Sequence, residues 1–135
     1  YTLHDLCHEM HEYYKENNTF NLQKALFAKR NLQDYVETPW QADLSFKKNQ
    51  NELCDLDNIV GQVALEGALP YPPGVFIVAP GEKWQKIDQQ YFKVLVGVME
   101  NFPGFIPEIQ GVYYEKDQQG HYKVQGEVEH KVNEF

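Results

Sequence analysis

Glu66 follows the apolar stretch Val63-Ala64-Leu65 and is itself followed by Gly67. A carboxylate in that position is out of place unless it is paired or functional, because an unpaired charge among apolar neighbours loses its hydration. Placed beside a glycine that admits close approach, it can bind an ammonium group through a charge-assisted hydrogen bond. The plainer reading is a strand-end glutamate that pairs with a surface lysine or caps a turn. Tyr71 comes next, inside Pro70-Tyr71-Pro72-Pro73-Gly74. A ring held between prolines serves as an interface or packing aromatic more readily than as a catalytic acid. His4, His8 and His11 recur at i, i+4 and i+7 and stack on one helical face. That spacing could hold zinc, with Cys7 or Glu12 as a further ligand. The same face lies opposite the Leu3/Leu6/Met10 stripe, as a solvated surface would. Three ligands from one helix also leave a tetrahedral site open. No metal is therefore expected, and the three histidines stand as the alternative. Glu82, after Pro80-Gly81, reads as an acid favourably placed in the first turn of a helix.

Other elements must position these groups. Thr2 can cap a helix to about Glu16, with Leu3, Leu6, Cys7, Met10, Tyr13 and Tyr14 on one side. A second helix is expected from about Asn21 to Asn31, with Leu22, Ala25, Leu26 and Lys29 on one stripe. Thr38-Pro39 opens a short helix that buries Trp40 and Leu44. A polar loop over Lys47–Asn51 leads to a short extended piece near Leu53–Leu56. Strands are expected near Ile59–Leu65 and over Val75–Val78. Between them Pro70, Pro72 and Pro73 fix φ and remove N–H donors, so the loop they form is expected to be neither strand nor helix, and Gly74 lets it turn. A long helix from about Lys83 to Asn101 places Trp84, Ile87, Tyr91, Leu95, Val98 and Phe102 in a narrow arc, and Asn101-Phe102-Pro103-Gly104 ends it. Gln110–Glu115 and Tyr122–Val128 read as a hairpin closed at Asp117-Gln118-Gln119-Gly120. The expected fold is α+β: N-terminal helices plus a small, mostly antiparallel sheet packed by one long amphipathic helix.

The chain has 135 residues, 42% hydrophobic and 14% aromatic, which suits one globular domain rather than a disordered segment. A net charge of −8 argues against a nucleic-acid or anionic-membrane partner, since both call for a basic face. It suits a cationic ligand such as a diamine. Cys7 and Cys54 give no disulfide framework, fit a reducing cytoplasm, and read as small buried hydrophobes rather than redox centres. No apolar stretch approaches the roughly 20 residues of a membrane span. The chain opens on Tyr1 directly in a helical pattern, so it is expected to be a piece of a longer protein.

The segment PYPPGV, followed by PGE and then by Asn101-Phe102-Pro103-Gly104-Phe105-Ile106-Pro107-Glu108-Ile109-Gln110-Gly111-Val112-Tyr113, resembles the C-terminal domain of bacterial pyridoxal-phosphate-dependent ornithine, lysine and arginine decarboxylases. The likeness continues at lower density from about Tyr1 to Glu129. EGALPYPPG, PGEKW and PGFIPEIQGVY are most similar to the inducible ornithine branch; the lysine and arginine branches usually carry Pro-Leu where Phe76-Ile77 stands. The resemblance implies a parent enzyme in which the cofactor ring takes up the electrons freed as CO₂ leaves ornithine, giving putrescine. The domain itself would cover the active-site entrance and support a homo-oligomer. The family's cofactor lysine follows a histidine in Ser-x-His-Lys. Here Val128-Glu129-His130-Lys131 lacks the serine and lies past the resembling elements, so it reads as a solvated tail. Residues 1–135 are thus expected to be one domain with neither catalytic nor cofactor-binding residues. Its expected partners are an upstream pyridoxal-phosphate-binding domain and an amino-acid substrate near Glu66 and Tyr71. The alternatives are a lysine or arginine decarboxylase domain, a stand-alone acidic domain that recruits a basic protein or polyamine, and a small zinc protein.

Overall fold

The computed structural model describes residues 1–28, 35–71 and 74–130. Helix α1 spans Leu3–Glu16, and the Thr2 hydroxyl accepts from Asp5 N–H while the Asp5 carboxylate accepts from Thr2 N–H. Helix α2 spans Thr19–Leu26. It begins earlier than the expected Asn21, because Asn18 takes a left-handed conformation at φ 54° and turns the chain directly out of α1. Lys29, Asn31, Pro72, Pro73 and Lys131 lie outside the described residues. Helix α3 spans Pro39–Lys47 and starts as its Thr-Pro signal foretells, with Thr38 and Gln41 capping each other reciprocally. It does not bury Trp40, which is 69% exposed; Leu44 is half-buried, and Ala42 and Ser45 are the residues that face inward. The short helix approaches the sheet so closely that small side chains fit the contact and the large ring is left outside.

The strands are β1 (Asn51–Asp55), β2 (Leu69–Pro70), β3 (Ile109–Gln110), β4 (Val112–Lys116) and β5 (Tyr122–Glu129). Three form an antiparallel sheet in the order β1-β5-β4, and β2 pairs with β3 in a second, two-stranded ribbon. The expected hairpin is β4–β5. Inward Val124, Gly126 and Val128 alternate along β5 with half-buried neighbours, the period of a sheet with one covered face. Helix α4, Lys86–Asn101, covers that face with Tyr91, Phe92, Leu95, Val98 and Met99. Trp84 packs against Phe92 with the rings tilted and their centroids 5.6 Å apart. Burial of each such side chain contributes about 1.5–3 kcal/mol. Helix α1 buries no residue fully. Its stripe is anchored at one end, where the Tyr13 ring packs edge-on against Phe102 at 5.8 Å, while Leu3 and Cys7 remain exposed. Cys54 is half-buried.

Several expected elements take another form. Ile59–Leu65 is not a strand: a single helical turn over Leu56–Asn58 leads into isolated bridges at Val63 and Ala64. Val75–Val78 is not a strand either, and only Val78 bridges, to Ala68. Glycines and Pro80 break both runs before a ladder can propagate. Pro70 does lie in a strand, the edge strand β2, where a missing N–H costs nothing. Helix α4 starts at Lys86 rather than Lys83, because Trp84 N–H donates to Gln62 O at 2.9 Å and Gly61 N–H to Trp84 O at 2.8 Å. Glu82 is therefore not in its first turn; its carboxylate accepts from Ala79 N–H at 3.2 Å. The acid at that helix start is the fully buried Asp88, which accepts from Gln85 N–H at 2.8 Å.

Candidate functional site

Residues 63–65 lie along the end of β5, continuing the place that β4 holds farther up the strand. Leu65 N–H donates to Glu127 O at 3.0 Å, and Glu129 N–H to Val63 O at 2.9 Å. On its other side this segment meets residues 81–82, with Ala64 N–H bonded to Glu82 O and Gly81 N–H to Ala64 O, both at 2.8 Å. Glu66 stands where that alignment ends. Gly67 turns away at φ +78°, and a Cβ there would come 2.3 Å from Val78 O. From the other side Gly111, at φ +85°, would place a Cβ 2.1 Å from Gly67 O. Two glycines in conformations that L side chains rarely adopt thus fix the backbone that presents Glu66.

The Glu66 side chain is half-buried, and Tyr113 Oη donates to its Oε1 at 2.5 Å. That hydrogen bond, with some burial and the carboxylate's charge, pushes the Tyr113 phenol up to about 12. Among the described residues no lysine, arginine or histidine pairs with Glu66, and no hydrogen bond engages Oε2. The surface-lysine reading of Glu66 therefore has no partner there. Beside it opens a cavity of about 320 Å³ bordered by Asp43, Phe46, Leu69, Phe76 and Gln110. Asp43 already pairs with Lys47 at 2.8 Å. The site thus offers apolar walls and one carboxylate oxygen without a partner among the described residues, an arrangement suited to an ammonium on a short carbon chain.

Tyr71 borders a different cavity, about 460 Å³, with Tyr14, Phe20, Tyr91 and Phe105. It is 57% exposed, and its N–H donates to Glu108 O at 2.9 Å. The two substrate-channel candidates therefore face separate spaces. Gly74 N–H donates to Pro70 O at 3.0 Å, which closes the loop that carries Tyr71. His4, His8 and His11 are all exposed, and among the described residues no three His, Cys, Asp or Glu side chains converge on a metal position. Glu129 is the last residue of β5, and His130 is tied back by its N–H to Gln50 O at 2.9 Å and by its ring to Glu52 at 3.1 Å. Every lysine among the described residues is exposed. None of them follows a histidine in a Ser-x-His-Lys motif, so none stands where the cofactor lysine of the resembling family would. No helix among the described residues is long and apolar enough to cross a membrane.

Sequence reasoning singled out Glu66 but not Tyr113, Asp43, Phe46 or Phe76, which the fold brings around it. The carboxylate after an apolar run was a local signal. Its partners come from other elements, and no spacing along the chain marks them.

The sequence profile described as Orn/Lys/Arg decarboxylase, C-terminal domain, matches residues 20–128. The inducible ornithine decarboxylase of Lactobacillus sp. (strain 30a) is 51% identical over 117 residues, covering 87% of this chain and 16% of that protein. The ornithine decarboxylase of Haemophilus influenzae is 50% identical over 128 residues, covering 95% and 18%. Among solved structures, the constitutive lysine decarboxylase of E. coli superposes with a TM-score of 0.76 at 30% identity, over 93% of this chain and 17% of that one. The chain thus spans about a sixth of the length of the relatives it matches.

Proposed function

The chain belongs to the family of Orn/Lys/Arg decarboxylase C-terminal domains, and from that premise we propose that it serves an ornithine decarboxylase that converts L-ornithine to putrescine and CO₂. The observation that carries this reading is the identity of 42–51% with ornithine decarboxylases along most of the chain, against 30–32% with lysine decarboxylases. The domain is one unit of a longer protein, and the pyridoxal phosphate that supplies the electron sink is held by an upstream domain of the same chain. None of its described residues bonds to the cofactor. Its tasks are to cover the active-site entrance and to support a homo-oligomer. Support for docking comes from the exposed apolar side chains of Phe20, Phe27, Tyr71 and Val75, which border adjoining cavities of about 500 and 460 Å³. Pro70, in β2, and Gly74, whose N–H donates to Pro70 O, flank Tyr71 at that surface. The unpaired thiols of Cys7 and Cys54 suit a reducing cytoplasm.

Glu66 meets the distal ammonium of the substrate at the channel. Kinetics of the full-length protein test the whole reading: kcat/KM for ornithine should exceed that for lysine and arginine by at least about tenfold. Glu66→Gln, which keeps shape and loses charge, should lower kcat/KM for ornithine about ten- to a hundredfold, with little change in melting temperature. A preference for lysine or arginine overturns the substrate assignment. Unchanged kinetics with a lowered melting temperature would make Glu66 structural.

A further inference from the structure

A carboxylate recognises an ammonium at a defined distance only when its rotamer is held, because a free glutamate side chain spends binding free energy on ordering. Glu66 is held at both ends. Gly67 and Gly111 lock its backbone, and Tyr113, paired on β4 with Gln125 of β5, clamps Oε1 from across the fold. The clamp leaves Oε2 as the oxygen without a partner among the described residues.

We propose that Tyr113 is a positioning residue for substrate recognition: by bonding one Glu66 oxygen it aims the other at the distal ammonium of a diamino acid, whose methylene chain lies along Phe46, Leu69 and Phe76. The inference rests on the reading of Glu66 given above and adds a second residue to it. Among the described residues the charged side chains bordering this cavity are Asp43 and Glu66, so their field favours a cation, and the pairing of Asp43 with Lys47 leaves Glu66 to receive it. A hydroxyl donor is suited to this task. It fixes the carboxylate without neutralising it, as a lysine partner would. The elevated phenol pKa keeps that donor protonated at neutral pH.

The test uses the full-length protein with Tyr113→Phe, Glu66→Gln and the double variant. kcat/KM is measured for L-ornithine, and a competitive inhibition constant for L-norvaline, which has the same carbon chain without the distal amine. Tyr113→Phe should lower kcat/KM for ornithine about tenfold, chiefly through KM, and leave the norvaline constant within about twofold. The double variant should fall no further than Glu66→Gln alone, since the two side chains act as one unit. Equal losses for ornithine and norvaline in Tyr113→Phe, or effects that add in the double variant, overturn the inference. Wild-type kinetics in Tyr113→Phe together with a deficit in Glu66→Gln also overturn it, while the reading of Glu66 stands. Wild-type kinetics in Glu66→Gln remove both.

Discussion

The Tyr113 phenol gives up its proton only at high pH, because the Glu66 carboxylate holds it by a hydrogen bond and opposes a second negative charge. Its pKa in the fold, about 12, stands above the ordinary value of 10. Folding therefore favours the protonated form, and the associated stabilisation is complete below pH 10 and lost as pH rises from 10 to about 12. A difference titration of phenolate absorbance, wild type minus Tyr113→Phe, should isolate one late-ionising tyrosine, and Glu66→Gln should return it towards the ordinary value. A difference curve centred at the ordinary value in the wild type would mean that the bond to Glu66 does not persist in solution. At this scale the sequence disclosed one member of the pair. Glu66 breaks a local pattern, whereas Tyr113 fits the alternation of its strand and carries no mark of its partner, 47 residues away.

Helix starts were legible wherever the signal was local. Thr2 with Asp5 and Thr38 with Gln41 form capping boxes within four consecutive residues, and both helices begin where those residues say. Helix α4 began late because backbone pairing of Gly61 and Gln62 with Trp84 claims residues that Pro80-Gly81 had marked for a first turn. The two runs around the proline loop do lie together, Ala68 against Val78 and Ala64 against Glu82, but Gly67 interrupts the ladder and leaves bridges instead of strands. One tight backbone contact between elements is the crossing of Gly67 by the β3–β4 link at Gly111. Gly111→Ala should destabilise the domain by about 2–5 kcal/mol, the sum of a left-handed alanine and an overpacked contact. Chemical denaturation measures it, and a loss below about 1 kcal/mol would mean that the crossing relaxes.

The α+β class was readable because its two strongest signals, the apolar arc of α4 and the β4–β5 hairpin, each lie within one continuous stretch of chain. Which large side chains stay outside was not fully readable: Trp40 and Phe20 look like core residues by type and are exposed in the fold. The same whole-molecule view carries a prediction about chemistry. Residues 1–135 mixed with pyridoxal phosphate and then treated with borohydride should show at most scattered, substoichiometric label over several exposed lysines, since no lysine stands in a Ser-x-His-Lys motif. Stoichiometric labelling at a single lysine would refute it. The strand order β1-β5-β4 has a further consequence, for the order of events as the chain is made. Asn51 pairs with Glu129, and β4 pairs with the same strand from the other side, so both outer strands await the strand that comes after them. Helices α1 and α4 close through local contacts and can form while the nascent chain is still incomplete. The sheet cannot. Until Tyr122–Glu129 has cleared the ribosome, β1 and β4 present unpaired edges and the apolar arc of α4 has no sheet to cover. The domain therefore passes through an aggregation-prone stage just before that central strand emerges, inserts and closes the sheet.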